Sequence, residues 1–174
     1  MFFSKTEFRF VFVVLSVLVV AIALNLQVSY KKGRDLQRKN DISSIQTALT
    51  TFQSAYKTFP MSDSEGRIVG CIEDPEQTPV VFSSCEWGVD QFSILEAMPT
   101  DPLSTEGWGY YYQSNGKTFQ IFVTLERNSD PEYKPEVFVR NLPCGGQTCN
   151  FGRAYGNTPL DKSLEEYENE VVDK

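Results

Sequence analysis

The sequence predicts an α+β protein in which a long N-terminal helix, with a membrane half and an amphipathic half, packs on a small antiparallel β-sheet with disulfide-stapled loops. Three observations lead to this fold class. An uncharged apolar run of membrane-spanning length lies near the N-terminus, and an amphipathic helical pattern follows it directly. A clear β-hairpin signal and four cysteines come after these two segments.

The first element is the uncharged stretch at residues 10–28, FVFVVLSVLVVAIALNLQV. A helix of about 19 residues matches the roughly 30 Å of hydrocarbon in a bilayer. We therefore expect a single-pass transmembrane helix, preceded by a cytoplasmic N-terminus at residues 1–9. A cleaved secretory signal is the alternative, because Lys5 and Arg9 form a basic stretch and residues 21–23 resemble a cleavage site. Both interpretations imply export.

The basic residues around this stretch give conflicting evidence on orientation. Two precede it and five follow it, namely Lys31, Lys32, Arg34, Arg38 and Lys39. A count of positive charges alone would keep the C-terminal domain in the cytoplasm. However, an even number of cysteines in a small domain favours an oxidising compartment, and long domains can translocate despite flanking charge. We expect a cell-membrane protein that contacts the lipid bilayer and has an extracytoplasmic C-terminal domain.

Residues 29–60 are typical of an amphipathic helix that continues the anchor. A glycine in a helix interior costs only about 1 kcal/mol, so Gly33 permits one continuous helix from residue 10 to residue 56. A separate helix capped near Asp41 is the alternative. Pro60 ends the helix in both cases, because the residue before a proline avoids the helical region. The apolar residues of this segment form one stripe at helical spacing, which we expect to pack on the sheet: Ile42, Ile45, Leu49, Phe52 and Tyr56.

The globular head is expected at residues 61–157. Its first part, residues 61–88, is rich in Gly, Pro, Ser and acidic residues, which is typical of loops. Brief apolar runs at residues 68–69 and 80–82 predict two short strands there. Residues 89–98 are predicted to form one short helix, which ends before a proline.

The clearest local signal in the head is a β-hairpin. Strand-like runs at residues 110–113 and 118–125 flank Asn115-Gly116, a pair that favours a type I′ turn with two positive φ angles. A third strand is predicted at residues 136–140. Alternation on the second strand puts four apolar residues on one face: Phe119, Ile121, Val123 and Leu125.

Residues 158–174 form an acidic C-terminal segment that is interpreted as a helix or a tail. Thr158-Pro159 resembles an N-cap followed by proline at the first helical position. Because helices under about 15 residues are marginal without packing, a frayed tail is the alternative. The apolar residues that follow recur at helical spacing: Leu160, Leu164, Tyr167 and Val171.

The four cysteines fall into two local pairs, Cys71 with Cys85 and Cys144 with Cys149. We predict a structural disulfide within each pair. A redox or zinc site is the alternative interpretation, but neither spacing matches the C-x-x-C pattern of such sites.

The composition argues against most enzymes. The chain has no histidine, which excludes Ser-His and Cys-His nucleophile pairs and the common zinc-hydrolase ligand sets. No phosphate-binding glycine motif is recognisable, and a net charge of −7 argues against nucleic acid as a partner. We predict a non-enzymatic protein without a resident cofactor or an identifiable small-molecule substrate.

Two groups of residues are candidate ligand-binding sites. Asp101, Asp130 and Glu132 lie in turn-rich segments, and calcium binds carboxylates of such loops, although solvated loop acids are favoured here. A cluster of aromatic residues could stack on sugars, although division between core and surface is favoured. Its members are Trp108, Tyr110, Tyr111 and Tyr112.

The order of these parts resembles that of type IV pilin-like proteins, in particular the major pseudopilin of type II secretion systems. Three stretches carry the resemblance: the span FVFVVLSVLVVAIALNL, the helix GRDLQRKNDISSIQTALTTFQSAYKTFP and the turn MPTDPLSTEGWGYYY. The resemblance implies a helix half in the membrane and half on an antiparallel sheet. It also implies a subunit that leaves the bilayer to pack against identical or related helices in a filament.

The N-terminus departs from the family pattern. MFFSKTEFRF has no glycine before the span, so no prepilin peptidase site is recognisable. Glu7 is the only residue that could match the family's assembly glutamate, which pairs with a neighbour's terminal amine. The resemblance favours a structural subunit of a type IV pilus or type II secretion-like assembly. The second hypothesis is a monomeric, anchored envelope binding protein with the pilin fold, and a thiol-redox enzyme is the third.

Overall fold

The computed structural model describes residues 5–72, 76 and 78–172. Its dominant element is helix α1, Lys5–Tyr56, which runs for 52 residues without a break. At 1.5 Å per residue the helix is about 78 Å long. The helix passes through Gly33 and Asp41, so the continuous helix is correct and the separate helix starting near Asp41 is wrong.

The N-terminal half of α1 stands clear of the rest of the molecule. All side chains from residue 7 to residue 33 are exposed, and none of the most apolar window is buried. By length and composition this part of the helix is sufficient to cross a membrane, a test that a signal sequence near an N-terminus also passes.

The C-terminal half of α1 packs on the head through the predicted stripe. Ile42, Ile45 and Leu49 are fully buried, and Phe52 is 5% exposed. Tyr56 is half exposed, because it stands at the edge of the core with its ring against those of Phe52 and Phe82. The stripe is therefore confirmed in its first four members and holds only in part for Tyr56.

Within its described residues the head has three small antiparallel sheets. The first joins β1 (Met61–Ser62), β2 (Ile68–Ile72) and β3 (Phe82–Ser84) in that order. The second has the order β4-β5-β8, and the third pairs β6 with β7. The bounds of these strands are Tyr111–Ser114 for β4, Phe119–Val123 for β5, Pro143–Cys144 for β6, Gln147–Thr148 for β7 and Phe151–Ala154 for β8.

The predicted hairpin is present, with a turn of a different type. Tyr111 pairs with Phe122 and Ser114 with Phe119, which leaves a four-residue loop. Gly116 has φ of 82°, whereas Asn115 does not adopt a positive φ. Instead, the Asn115 side-chain oxygen accepts hydrogen bonds from the backbone amides of Lys117 and Thr118, so the type I′ turn is wrong.

Strand β5 is covered on both faces. Phe119, Ile121 and Val123 belong to the main core that faces α1, as the alternation predicts. The opposite face carries Phe122, which lies in a second cluster with Val137, Cys144 and Cys149. The alternation along β5 does not by itself indicate this second layer.

Two predicted elements of the head are wrong. Residues 136–140 do not form a strand; a short helix α2, Pro135–Phe138, lies there, because Pro135 at its first position fixes a helical φ. The third strand of the sheet is β8 instead. Residues 89–98 form turns rather than a helix, with Ser93 at φ 53° and an isolated bridge between Phe92 and Leu95.

The C-terminal segment forms helix α3, Leu164–Val172. It begins later than predicted, because Ser163 rather than Thr158 caps it. The Ser163 hydroxyl accepts from the Glu166 backbone amide at 3.2 Å, and the Glu166 carboxylate accepts from the Ser163 amide at 2.7 Å. These reciprocal bonds form a capping box. The helical interpretation is correct for residues 164–172, and the last two residues of the chain lie outside the described part.

Candidate functional site

The most heavily charged site lies where α1 leaves the bare apolar half and enters the head. We call it the junction network. It comprises four residues of α1 and four of the head: Arg34, Asp35, Arg38, Lys39, Asp101, Glu126, Arg127 and Asp130. The helix residues occupy the turn directly after Gly33, so the network begins where the exposed span stops.

Arg38 is the centre of the junction network, and its side chain is fully buried. Its Nε and Nη2 donate to the two oxygens of Asp101 at 2.7 and 2.9 Å, which is the bidentate geometry that favours arginine. Nη1 donates to Asp35 at 3.2 Å and to Glu126 at 3.1 Å. The guanidinium also lies over the ring of Trp108, 4.5 Å from its centroid.

These contacts determine the charge state of Arg38. Burial by itself lowers the pKa of the guanidinium, but the hydrogen bonds and charges of Asp101 and Glu126 outweigh it and raise the pKa. Arg38 is therefore a permanent cation whose charge is balanced locally.

Glu126 lies three residues after β5 and connects this part of the head to residues 34–38 of α1. Arg34 donates to its two carboxylate oxygens at 2.5 and 2.7 Å, and the Glu126 backbone amide donates to Asp35 at 2.8 Å. Burial raises the pKa of the Glu126 carboxyl, yet the bonds from Arg34 and Arg38 prevail and hold it below its ordinary value.

Asp130 closes the network on its other side. The Lys39 ammonium donates to it at 2.6 Å and lies 2.8 Å from Glu132, while Arg127 donates to Asp130 at 2.6 Å and to Asp35 at 3.2 Å. Burial raises the pKa of Asp130, but the bonds from Lys39 and from the Glu132 backbone amide lower it overall.

The three candidate calcium ligands are divided between these contacts. Asp101 pairs with Arg38, and Asp130 and Glu132 pair with Lys39, so protein cations already occupy their oxygens. Within the described residues no group of three or more acidic, histidine or cysteine side chains could hold a metal ion. The favoured interpretation as solvated loop acids is wrong for Asp101 and Asp130, which are 2% and 7% exposed.

The local sequence explains how Asp101 reaches Arg38. Its carboxylate accepts from the Leu103 amide at 2.8 Å, and its carbonyl accepts from the Ser104 amide at 2.9 Å, which fixes a tight turn. The turn leads through a short 3-10 helix, Ser104–Glu106, to Trp108. The proline-aspartate-proline segment therefore supplies both the carboxylate and the indole that enclose the guanidinium.

Two members of this site could have been found in the sequence. Asp35 and Arg38 continue the apolar stripe towards the N-terminus with the same spacing of three and four as Ile42 and Ile45. A charged pair on the face that packs on the sheet predicts partners in the head. Which carboxylates those are depends on contacts 63 and 88 residues away, for which the sequence shows no signal.

The cysteine predictions are confirmed. Disulfides join Cys71 to Cys85 and Cys144 to Cys149, and all four cysteines belong to the described part of the chain, so none has a free thiol. The first bond ties β2 to the segment after β3. The second closes the β6–β7 hairpin beneath Phe122.

The predicted aromatic cluster is largely core. Tyr112 is fully buried and donates to the Pro60 carbonyl at 2.8 Å. Tyr110 is 4% exposed and donates to Asp41 at 2.7 Å; burial and this bond raise the pKa of its phenol. Trp108 faces Arg38. Tyr111 is half-buried against the second cluster, so two members of the group are core and two are half-buried.

Glu7, the assembly candidate, lies in the first turn of α1. It is separated from the junction network by the whole exposed span. The structure therefore does not bring Glu7 together with the other candidate residues within one chain.

Comparison with known proteins finds no relative. No protein-family model matches the chain, and neither a curated protein nor a solved structure matches it significantly.

Proposed function

We propose that this chain is a membrane-anchored structural subunit of the pilin or pseudopilin type, held by a single span with its head outside the cytoplasm. The observation that supports the proposal most is the division of one unbroken helix. Residues 7–33 are bare and contain the uncharged apolar run at 10–28, while the stripe from Ile42 to Phe52 is buried in the head. The resemblance of the span, the helix and the proline-aspartate-proline turn points the same way.

The bare half of α1 needs an apolar environment. More than twenty consecutive helical residues exposed to water would be strongly unfavourable, since each apolar Å² removed from water contributes about 25 cal/mol. Lipid tails and neighbouring apolar helices satisfy this requirement about equally. The subunit can therefore reside in the bilayer and then exchange lipid for copies of itself.

The junction network is compatible with an exchange of lipid for neighbouring subunits around the apolar half. It holds the head to α1 by buried ion pairs that start at residue 34, so the head does not depend on the surroundings of the apolar half. The proposal includes no catalytic step. The buried ions of the network are fully engaged with one another, and the cysteines are bonded.

The proposal is tested by photocrosslinking in the native membrane. A photoreactive phenylalanine analogue replaces Phe12, which is 64% exposed, or Val19, which is also 64% exposed. The expected result is a ladder of covalent species at multiples of 19.8 kDa. The same probe at Phe119, which is fully buried in the head, is the matched control and should give no ladder.

The crosslinking results distinguish the filament subunit from the monomeric binding protein. Adducts to lipid alone at Phe12 and Val19, over a range of expression levels, would contradict the filament subunit and favour a monomeric anchored binding protein. Glu7→Gln should abolish the ladder while membrane extraction behaviour stays unchanged, because Glu7 is the assembly candidate on the bare half. Mass spectrometry of the extracted protein would then report whether the N-terminus is processed.

A further inference from the structure

An open groove of about 640 Å³ lies at the end of the head far from the apolar half of α1. Its position follows from the hairpin loop between β4 and β5. The Gly116 carbonyl in that loop accepts from the Phe59 amide at 2.8 Å and from the Thr58 hydroxyl at 2.9 Å, directly after α1 ends. The groove is lined by Lys117 and Thr118 of this loop, so it lies at the same end of the head as the C-terminus of α1.

The walls of the groove are fixed by the fold. One wall is the segment after β8, residues 155–158, and another is α3 with Tyr167 and Asn169. The segment that leads into α3 is anchored to the head. Gln120 donates to the Lys162 carbonyl at 2.9 Å, and Arg140 donates to the Leu160 carbonyl at 2.7 Å. A ligand would therefore meet a largely preformed site, as most small-molecule sites are.

The groove offers aromatic surface. Tyr155 is 40% exposed, and its ring is held by Phe59 at 4.7 Å and Phe119 at 6.0 Å between centroids. Tyr167 adds a second, half-buried ring on the α3 side. Because the Tyr155 ring is already restrained by these contacts, it can present a flat apolar face to a ligand at little further cost in side-chain entropy.

The groove also offers hydrogen-bonding groups that the described residues do not use. The side-chain amides of Asn157 and Asn169 are exposed, and neither they nor the hydroxyls of Tyr155 and Tyr167 bond within the described part of the chain. Each amide has two donors and an acceptor, and each phenol has one of both kinds. Such a set matches a ligand rich in hydroxyl groups.

The charges at the groove cancel. Lys117 and Glu168 lie on its lining and pair with each other at 3.2 Å between Nζ and Oε1. The site therefore has no net charge with which to select an anion or a cation.

From this combination we infer that the distal groove binds a neutral oligosaccharide. The apolar face of a pyranose ring would lie on the open face of Tyr155, while its hydroxyls would exchange hydrogen bonds with Asn157 and Asn169. The volume accommodates a few sugar units. The inference does not depend on whether the chain polymerises, since the groove belongs to one head and lies far from the span.

The test uses the full chain in phospholipid nanodiscs, because sugar-headed detergents would compete for the groove. Four neutral trisaccharides, of glucose in α and β linkage, of mannose and of N-acetylglucosamine, are titrated with saturation-transfer NMR as the readout. Sialyllactose and a sulfated disaccharide are the charged comparisons, and a polyalanine peptide represents an extended peptide. At least one neutral sugar should bind with a dissociation constant of about 0.1 to 1 mM, as expected for a shallow site.

Two variants assign the binding to the groove. Asn157→Ala with Asn169→Ala removes both amides at exposed positions and should weaken binding about tenfold or more, equivalent to about 1.4 kcal/mol. Asn128→Ala is the matched control, an exposed asparagine in the loop next to the junction network, and should leave binding unchanged. Tyr155→Phe keeps the packing on Phe59 and Phe119 and should weaken binding less than the double variant.

Three results would overturn the inference. One is no binding of any neutral sugar up to about 10 mM, which is about ten times the weakest dissociation constant expected. Another is equal binding by the parent and the double variant, with near-UV circular dichroism showing that both are folded. The third is a preference for the charged sugars or for the peptide.

Discussion

Arg38 combines a full positive charge with complete burial. Moving an ion out of water carries a desolvation penalty of several kcal/mol, which a buried pair offsets only with good geometry and further hydrogen bonds. The bidentate bond to Asp101, the bonds to Asp35 and Glu126 and the indole of Trp108 meet both conditions. The consequence is asymmetric, since removing the arginine alone leaves the Asp101 carboxylate buried without its ion-pair partner.

Arg38→Met should therefore lower the free energy of unfolding by about 3 to 5 kcal/mol, the usual range for breaking a buried pair. Chemical denaturation of the full chain in detergent micelles, followed by tryptophan fluorescence, measures it. The matched control is Lys32→Met, the same type of change at an exposed site of the same helix, expected to change the free energy by no more than about 0.5 kcal/mol.

A second variant separates charge from packing. Arg38→Met with Asp101→Leu removes both members of the bidentate pair, and apolar replacements of buried pairs are often neutral. The double variant should therefore regain part of the lost stability. If Arg38→Met and Lys32→Met were equally mild, the network would not stabilise the junction.

The network also predicts an acid-sensitive head. Glu126 and Asp130 have pKa values below the ordinary 4.5 and 3.8, so the folded head binds fewer protons than the unfolded chain as the pH falls through these values. Their stabilisation is complete above the ordinary values and is lost progressively below them. Asp41 acts in the opposite direction, because burial raises its pKa, which the Tyr110 bond only partly offsets.

We expect a net loss of stability below about pH 4.5. Asp63 and Glu166 also have lowered pKa values, so the carboxyls that lose stabilisation in acid outnumber Asp41. Thermal unfolding between neutral pH and about pH 3 measures this loss. Glu126→Gln should flatten the acid limb of the profile, whereas Glu96→Gln, an exposed acid in the turns before Pro99, should leave it unchanged. An identical acid limb in all three proteins would contradict the assignment to the network.

At the scale of single elements, α3 is a short helix that depends on its first turn. It has nine residues, fewer than an isolated helix needs for stability in water. The capping box between Ser163 and Glu166, the buried Leu164 and the bonds from Gln120 to the preceding loop compensate for this. The helix forms one wall of the distal groove, so its order matters there.

Ser163→Ala removes the hydroxyl that caps α3 and should reduce helix stability by about 1 kcal/mol. Hydrogen exchange at residues 166–170 should accelerate about fivefold as a result, because local opening becomes more frequent. Exchange in β5 should not change, since the strand lies in both cores. Ser129→Ala, at an exposed serine in a loop, is the control. Unchanged exchange in α3 would show that its packing rather than its cap holds it.

The elements differ in how far the sequence could predict them. The Ile42 to Phe52 stripe and the β5 alternation were predictable because burial on one face imposes a period. Residues 136–140 have a strand-like composition, yet Pro135 starts a helix there, so a local backbone constraint outweighed propensity. The partners of Asp35 and Arg38 in the head and the groove could not be foreseen, because each joins segments that meet only after the head has folded.

For the molecule as a whole, the junction network gives most of the basic residues that follow the apolar run a role within the fold. Three of the five, Arg34, Arg38 and Lys39, pair with carboxylates of the head. Lys31 and Lys32 are exposed at the base of the apolar half. A simple count of charges therefore mixes residues that serve the fold with residues available to lipid headgroups.

We expect the C-terminus to lie outside the cytoplasm. An alkaline phosphatase fused after Lys174, which is active only after export, should be active. Activity should persist in Lys31→Gln with Lys32→Gln, because long domains translocate despite flanking charge. A β-galactosidase fused at the same position is the complementary control and should be inactive. The reverse pattern would place the head in the cytoplasm.

The unbroken passage of α1 through Gly33 has a mechanical consequence. No loop separates the apolar half of α1 from the first ion pair of the head. The apolar half and the head therefore move as one rigid unit. Membrane helices tilt by about 20° on average, and residues 34–56 extend about 34 Å above the pivot, so such a tilt would swing the far tip sideways by about 12 Å. In the proposed membrane-anchored state, bilayer thickness would thus change how far, and in which direction, the outer end of the head reaches.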